Sequence, residues 1–130
     1  MAEIFERDWN VIFFNCLDSS LSDGKFLMGV LNKAAKLAGA NILNSFFHNF
    51  EPQGASALVL ISESHLSIHT YPEKGKAARF SFHTCNLKMD GLKVLEYVGK
   101  KIGAEKGEYV IEDVFEGGVE IAEKKNIYFS

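Results

Sequence analysis

The hydrophobic positions in the first third of the chain predict a strand followed by a helix. The apolar stretch from Trp9 to Cys16 is typical of a buried strand. Between Asp23 and Ala38, apolar residues recur every three or four positions, which predicts an amphipathic helix with one buried face. Asp23 is a suitable N-cap for this helix, and Gly39 is a suitable residue to end it.

From residue 40 to residue 85 the hydrophobic period changes to two, which predicts four successive strands. The predicted strands are Ala40 to Phe50, Ala55 to Ser62, His65 to Tyr71 and Ala77 to Cys85. Turn-forming residues separate them, most clearly in the segment Pro72 to Gly75. Strands in such close succession favour antiparallel hairpins.

The last third of the chain predicts one more helix and one more strand. The helix extends from Asp90 to about Ile102 and the strand from Glu108 to Phe115. The tail from Gly117 to Ser130 is ambiguous, with Ile127 to Phe129 as a candidate short strand. We therefore predict one α+β domain over residues 1–130, a two-layer sandwich with two helices packed on one face of a mainly antiparallel sheet.

Composition narrows the function without naming it. The chain has 130 residues, 47% of them hydrophobic, and a net charge of −3, which argues against a nucleic-acid partner. No apolar stretch approaches the length of a membrane span, and the acidic, mixed N-terminus does not resemble a signal peptide. Two cysteines, Cys16 and Cys85, are too few for a disulfide scaffold. We expect a cytoplasmic protein with no membrane partner.

Polar and apolar residues alternate in the two strands that include His65 to Tyr71 and Arg79 to Cys85. The odd-numbered residues of both strands are polar or titratable, whereas the even-numbered ones are apolar or threonine. Successive strand residues point to opposite faces of a sheet, so each strand has one polar face. A sheet with one solvated side explains this pattern without any special chemistry.

Two chemical interpretations of that polar face find little support in the spacing. A zinc site could draw on His65, His69, His83 and Cys85, but no CxxC motif is present. Residues four apart on a strand are also about 13 Å apart, too far to share one ion without a bend. We therefore expect no metal. A histidine–cysteine nucleophile pair is the second interpretation, and the spacing says equally little about it.

The most specific signal is a resemblance to a known family. The stretch from Ile61 to Glu73, ISESHLSIHTYPE, closely resembles the self-processing segment of prokaryotic S-adenosylmethionine decarboxylases. Two other segments resemble this family, namely Phe47 to Gly54, FHNFEPQG, and the pair Thr84-Cys85. The resemblance covers most of the chain, from about Val11 to Val114.

This resemblance implies a proenzyme that cleaves itself between Glu63 and Ser64. The Ser64 hydroxyl attacks the Glu63 carbonyl to give an ester, and loss of the Ser64 α-proton then eliminates that ester. Hydrolysis of the resulting dehydroalanine leaves a pyruvoyl group at the start of the second chain. In the family this cofactor forms a Schiff base with the substrate amine and withdraws electrons as CO₂ leaves. The implied function is decarboxylation of S-adenosylmethionine for spermidine biosynthesis.

The resemblance also implies roles for individual residues. Cys85 matches the cysteine that returns a proton after decarboxylation. His69 matches a histidine that acts in self-processing, and Ser56 matches a serine that assists it. Phe50 matches an aromatic residue that stacks on the adenine.

Two further residues match substrate contacts of the family. Glu73 matches a carboxylate that binds the ribose hydroxyls. Tyr71 stands where the family usually has Trp or Phe, and an aromatic wall suits a sulfonium cation.

Some positions depart from the family pattern. Lys76 follows the Pro-Glu turn where a tyrosine is usual, and the strand from Arg79 to Asn86 lacks the usual acidic residue. The segment from Gly75 to Cys85 is one residue longer than expected. A one-residue shift would turn Cys85 to the opposite face of the sheet unless a β-bulge absorbs it.

These departures leave two alternatives open. One is a divergent pyruvoyl decarboxylase that acts on arginine or ornithine. The other is an unprocessed, non-catalytic relative with a binding or regulatory role. Family resemblance also implies a homodimer of processed protomers with active sites near the interface.

Overall fold

Strands dominate the computed structural model, which describes residues 3–130. The strands are β1 (Ile4–Phe14), β2 (Ile42–Asn49), β3 (Ala55–Ile61), β4 (Ser64–Tyr71), β5 (Ala77–Thr84), β6 (Lys106–Phe115) and β7 (Gly118–Tyr128). The helices are α1 (Asp18–Leu21), α2 (Gly24–Leu37) and α3 (Gly91–Lys101). No helix within residues 3–130 combines the length and the apolar character that crossing a membrane requires.

All seven strands join one sheet in the order β2-β3-β4-β5-β1-β6-β7. Every neighbouring pair is antiparallel. The first strand of the chain therefore lies between β5 and β6, inside the sheet, while β2 and β7 form its edges. This arrangement confirms the predicted α+β sandwich with a mainly antiparallel sheet.

The helices cover one face of the sheet and leave the other face open. Helix α2 packs on β2 and β3, and α3 packs on β1 and against α2. The side chains that point toward the helices form the core, with Phe13, Phe80, Phe82 and Leu66 fully buried. The alternation predicted for β4 and β5 is confirmed, because their apolar residues face this core and their polar residues face the open side.

Both long helices begin as predicted. The Asp23 carboxylate accepts a hydrogen bond from the Phe26 amide at 3.0 Å, and Asp90 accepts one from the Lys93 amide at 3.1 Å. Helix α3 lies so close to the sheet that a Cβ atom at Gly91 would be 2.0 Å from the Trp9 ring. A glycine at this position is therefore required by packing.

The structure corrects the sequence prediction at three places. Strand β1 begins at Ile4 and not at Trp9, and the four-residue helix α1 was not predicted. The tail forms the complete 11-residue strand β7 and not only a short strand at its end. Strand β7 lies at the edge of the sheet and is largely exposed, so its charged residues conceal the hydrophobic period.

Strand β5 contains no β-bulge. Its pairing with β4 is continuous from Ser64 opposite Thr84 to Tyr71 opposite Ala77, and its pairing with β1 is equally regular. The turn that precedes β5 holds two residues with positive φ, Gly75 at 67° and Lys76 at 51°. The β-bulge considered from the sequence is therefore absent between Ala77 and Thr84, where the strand register is regular.

Candidate active site

The Glu63–Ser64 peptide lies at the turn that joins β3 to β4. Ser62 and Glu63 form this turn, and Ile61 pairs with Ser64 across it. Ser64 has a φ of 151°, a conformation that non-glycine residues rarely adopt and that stores backbone strain. The peptide predicted to be cleaved is thus held in a strained conformation at the end of a hairpin.

The carbonyl group of Glu63 is polarised by the neighbouring strand. Its oxygen accepts a hydrogen bond of 2.9 Å from the backbone N–H of Cys85, one residue beyond the end of β5. The Glu63 side chain is held separately, because its Oε1 accepts a hydrogen bond of 3.3 Å from the Asn41 amide. A backbone donor on this carbonyl stabilises the negative charge that develops when a nucleophile attacks it.

The Ser64 hydroxyl is within hydrogen-bond distance of the next residue. Its Oγ lies 3.1 Å from Nδ1 of His65. The His65 ring in turn packs against the His83 ring on β5, with a centroid separation of 4.7 Å. Ser64, His65 and His83 are all half-buried, so this row of side chains is partly shielded from water.

Polar side chains of β1 contact His83 from the strand on its other side, away from β4. Nδ1 of His83 lies 3.6 Å from Oδ1 of Asp8, and Nε2 lies 3.3 Å from the amide oxygen of Asn10. Burial, together with a hydrogen bond to Glu6, raises the pKa of Asp8 to about 7. Burial and the nearby His65 lower the pKa of His83. His83 is therefore mainly neutral at neutral pH, and Asp8 is in part protonated.

The four zinc ligands considered from the sequence do not form one group, although His65 and His83 contact each other. Among residues 3–130, the group whose ligand atoms all lie within 4.8 Å of one another is Glu6, Asp8 and His83. It contains neither Cys85 nor His69. Its two carboxylates were missed at the level of sequence because β1 was predicted to begin at Trp9. The alternation of Glu6, Asp8 and Asn10 continues the strand pattern and could have revealed them.

A second group of predicted residues lies further along the same open face. Ser56 and His69 are cross-strand partners on β3 and β4, and the Ser56 hydroxyl contacts Nδ1 of His69 in a short hydrogen bond. The His69 ring lies between two aromatic rings, 5.4 Å from that of Phe50 and 4.8 Å from that of Tyr71. Glu73 follows in the next turn, where its carboxylate accepts a hydrogen bond from Gln53.

An open cavity of about 530 Å³ lies over part of this second group, but neither Phe50 nor Glu73 lines it. Ser56, His69 and Tyr71 contribute to its wall, together with the apolar side chains of Phe46 and Leu58. Arg79 also lines the cavity and brings a positive charge to it. A partly apolar cleft with a few polar groups is typical of a site for a small molecule.

The predicted site residues therefore form two groups within one chain. Glu63, Ser64 and Cys85 meet at the β3–β4 turn, whereas Ser56, His69, Phe50 and Tyr71 meet at the opposite end of β4, next to Glu73. Ser64 and His69 are five residues apart on one strand, which corresponds to about 16 Å. The His69 imidazole cannot contact the Ser64 hydroxyl of the same chain over this distance.

The fold and the strained turn together define a class of protein. It is a two-layer α+β protein in which the Ser64 hydroxyl lies next to a peptide bond whose carbonyl accepts a hydrogen bond. The family model described as S-adenosylmethionine decarboxylase matches residues 7–113. The chain belongs to this family, as its sequence motifs predict.

Individual relatives agree with this assignment. An S-adenosylmethionine decarboxylase proenzyme from Prochlorococcus marinus is 44% identical over 92 residues, which cover 71% of this chain and 73% of the relative. A proenzyme of the same name from Pseudomonas paraeruginosa is 39% identical over 93 residues, which cover 72% of this chain and 58% of the relative. The match thus spans about three quarters of one curated relative and little more than half of the other.

Solved structures show the same fold. The crystal structure of the adenosylmethionine decarboxylase from Aquifex aeolicus superposes with a TM-score of 0.77 at 22% identity, over 85% of this chain and 90% of that one. The Trypanosoma brucei AdoMetDC-delta26 monomer gives a TM-score of 0.59 at 14% identity, over 82% of this chain and 45% of that one. At these identities the likeness concerns the fold alone.

Proposed function

We propose that this chain is the proenzyme of a pyruvoyl-dependent S-adenosylmethionine decarboxylase that cleaves itself between Glu63 and Ser64. One observation carries the proposal, namely the strained Ser64 backbone next to a Glu63 carbonyl that already accepts a hydrogen bond from the Cys85 amide. The relatives described above bear the name of this proenzyme, which supports the same activity. Neither alternative drawn from the sequence is favoured by these names.

Self-cleavage needs only groups of this chain and one water molecule. Ser64 Oγ attacks the Glu63 carbonyl carbon, the C–N bond breaks, and the Ser64 nitrogen takes up the proton that the hydroxyl loses. Removal of the Ser64 α-proton then expels the Glu63 carboxylate and leaves dehydroalanine. Hydrolysis of its imine tautomer releases ammonia and leaves the pyruvoyl group. The products are residues 1–63 and residues 64–130.

The surroundings of Ser64 fit a group made from this residue. The position is half-buried, and its cross-strand partner on β5 is Thr84, so that Cys85 lies one residue further on, opposite Glu63. The pyruvoyl group, once formed, supplies an electron-withdrawing carbonyl for the loss of CO₂. The Cys85 thiol is exposed and is our proposed donor of the proton that replaces the carboxylate.

The second group of residues is our proposed binding surface for the nucleoside and sulfonium parts of the substrate. Phe50 and Tyr71 are exposed enough to contact a ligand, with 41% and 37% of their surface accessible. An aromatic surface attracts a sulfonium cation through cation–π interaction and offers a stacking face to adenine. The exposed Glu73 carboxylate is placed to accept hydrogen bonds from ribose hydroxyls.

Two copies of the chain are needed to unite the two groups, and we propose a homodimer formed through the open face of the sheet. The distance of about 16 Å between Ser64 and His69 excludes their direct contact within one chain. The open face carries exposed apolar side chains, among them Phe46 and Leu60, that a second copy would cover. In such a dimer, Ser64 and Cys85 of one copy would face His69 of the other.

The state of the cysteines supports a cytoplasmic location for this enzyme. Both Cys16 and Cys85 are free thiols. Burial raises the pKa of Cys16 to about 12, so this thiol is unreactive. The exposed Cys85 thiol must stay reduced to donate a proton, and a reducing compartment keeps it so.

Intact-mass spectrometry combined with a decarboxylation assay tests the proposed function. The wild-type chain should yield two masses that correspond to cleavage before Ser64, with a pyruvoyl group on the second, whereas Ser64→Ala should remain one chain. Carboxyl-labelled S-adenosylmethionine should release CO₂, and labelled arginine and ornithine should not. Release from arginine or ornithine alone would refute the proposed substrate, and a stable intact wild-type chain would favour the non-catalytic alternative.

Complementation tests the proposed dimer. Cys85→Ala and His69→Ala should each abolish decarboxylation when expressed alone. If each site draws on both copies, coexpression should restore activity, because one of the two sites in a mixed dimer is then intact. Failure to restore activity, or a monomer mass in sedimentation, would contradict a shared site.

A further inference from the structure

We propose that His65 is the base that removes the Ser64 hydroxyl proton in the first step of self-cleavage, which leaves His69 for a later step. This inference rests on the proposed function, since it assigns a residue to the self-cleavage reaction. The geometry that carries it is the distance of 3.1 Å between Ser64 Oγ and His65 Nδ1. His65 is thus a catalytic residue in the strict sense, because it touches the reacting hydroxyl.

The other histidines of the chain are less suitably placed for this step. His69 lies about 16 Å along β4 from Ser64 and is hydrogen-bonded to Ser56. His83 contacts His65, and its ring nitrogens point at Asp8 and Asn10. His48 lies on β2 and packs against Phe50 in the second group. Among these four, only His65 has a hydrogen bond to the attacking hydroxyl.

The attack of Ser64 on Glu63 accounts for every bond formed and broken and for the transferred proton. Neutral His65 with its proton on Nε2 accepts the Ser64 hydroxyl proton at Nδ1 while Oγ bonds to the Glu63 carbonyl carbon. The carbonyl π electrons move to oxygen, where the Cys85 N–H stabilises them. When the tetrahedral centre collapses and the C–N bond breaks, His65 returns the proton to the departing Ser64 nitrogen. The imidazole leaves the step in its starting form.

The surroundings of His65 suit a transient positive charge. On β5, its neighbour His83 has a pKa lowered by burial, so a second cation does not face it at neutral pH. On β1 and β6, the carboxylates of Glu6 and Glu112 lie near His83 and supply negative potential. The partner of His65 on β3 is the apolar Leu60, which brings no competing charge. Ring packing against His83 also fixes the orientation of the His65 imidazole.

Hydroxylamine distinguishes the proposed roles of His65 and His69, because it cleaves an ester but not an amide under mild conditions. His65→Ala should form the ester slowly and should therefore remain one chain that hydroxylamine does not split. We expect its cleavage to be at least about 100-fold slower than that of the wild type. His69→Ala should instead accumulate the ester, so that hydroxylamine splits it after Glu63.

Imidazole rescue distinguishes a base from a structural residue. Cleavage of His65→Ala should accelerate in proportion to added imidazole, which a purely structural role would not produce. Ser45→Ala is the matched control, since Ser45 lies on β2, outside the β3–β4 turn, and its hydroxyl accepts a hydrogen bond from Asn32 on α2. This control should cleave at the rate of the wild type. Circular dichroism of each variant verifies that it is folded.

Two outcomes would overturn the assignment, and a third concerns only the proposed function. Cleavage of His65→Ala at the rate of the wild type would show that His65 is not the base. Accumulation of a hydroxylamine-sensitive ester in His65→Ala would place His65 after the first step. Failure of the wild-type chain itself to cleave would instead refute the self-processing on which the inference rests.

Discussion

The backbone N–H of Cys85 donates a hydrogen bond of 2.9 Å to the carbonyl oxygen of Glu63. This contact continues the regular pairing of β4 with β5 by one step beyond the last paired residues, Ser64 and Thr84. The register of one hairpin therefore places a hydrogen-bond donor on the peptide bond at which we propose cleavage. It also places Cys85 opposite Glu63, next in sequence to Thr84, the cross-strand partner of Ser64.

Two substitutions at Cys85 should separate these roles. Cys85→Pro removes the N–H donor and should slow self-cleavage about 100-fold or more, the usual effect of losing one oxyanion donor. Cys85→Ala keeps the donor and removes the thiol, so it should cleave normally and lose decarboxylation. The cleavage rate from intact mass and the release of CO₂ check the two effects. Equal cleavage rates for both variants would argue against a role for the amide.

The strain at Ser64 predicts a difference between two variants that cannot cleave. Glycine tolerates a φ of 151°, whereas alanine meets the same steric penalty as serine. Glycine also raises the conformational entropy of the unfolded chain, which offsets part of this gain. We therefore expect Ser64→Gly to be more stable than Ser64→Ala by about 1 kcal/mol. Denaturant unfolding of the two intact chains measures this difference. A less stable Ser64→Gly would mean that the backbone at this position is relaxed.

Much of the fold could be predicted from hydrophobic periodicity alone. Both long helices and strands β2 to β6 were predicted with small errors at their ends, because each buries one regular apolar face. Periodicity failed for β7 and for the first residues of β1. Strand β7 is an exposed edge with many charged residues, and β1 begins with the polar series Glu6, Asp8 and Asn10.

The candidate site was predicted less completely than the fold. Sequence motifs named Ser64, His69 and Cys85, but they carry no information on distance. The separation of Ser64 from His69 depends on an uninterrupted β4, and the structure shows that this strand pairs with both neighbours without a register shift. The sequence indicates only a solvated or a zinc-binding role for His65, because its contact with Ser64 depends on the unusual backbone at the turn.

The close approach of α3 to the sheet gives a stability prediction with a matched control. Gly91→Ala would place a methyl group 2.0 Å from the Trp9 ring, so the helix or the ring must move. We expect a loss of about 1 to 3 kcal/mol, which is typical of overpacking. A methyl group at Gly29 in α2 would meet no atom within 4 Å, so Gly29→Ala should gain about 0.5 to 1 kcal/mol from helix propensity. Thermal unfolding of both variants in the Ser64→Ala background should show a lower Tm for Gly91→Ala and a higher Tm for Gly29→Ala.

The titration of Asp8 predicts how stability depends on pH. The pKa of this carboxyl is about 7 in the folded chain and 3.8 in its ordinary state. Between these values the folded protein holds a proton that the unfolded chain has released, so this group makes the protein less stable as pH rises from about 4 to about 7. His83 acts in the opposite direction, because its lowered pKa removes stability as pH falls below about 6.5.

Asp8→Asn isolates the contribution of the carboxyl group. Asparagine has nearly the same shape and does not titrate, so the variant should lose less stability than the parent chain between about pH 4 and about pH 7. Its Tm relative to the parent should therefore increase with pH across this range. Calorimetry in the Ser64→Ala background keeps the chain intact during the measurement. Asp18→Asn changes an exposed carboxylate near Lys76 and serves as the control, whose Tm should follow that of the parent. Parallel Tm curves for Asp8→Asn and the parent would show that Asp8 titrates as an ordinary carboxyl group.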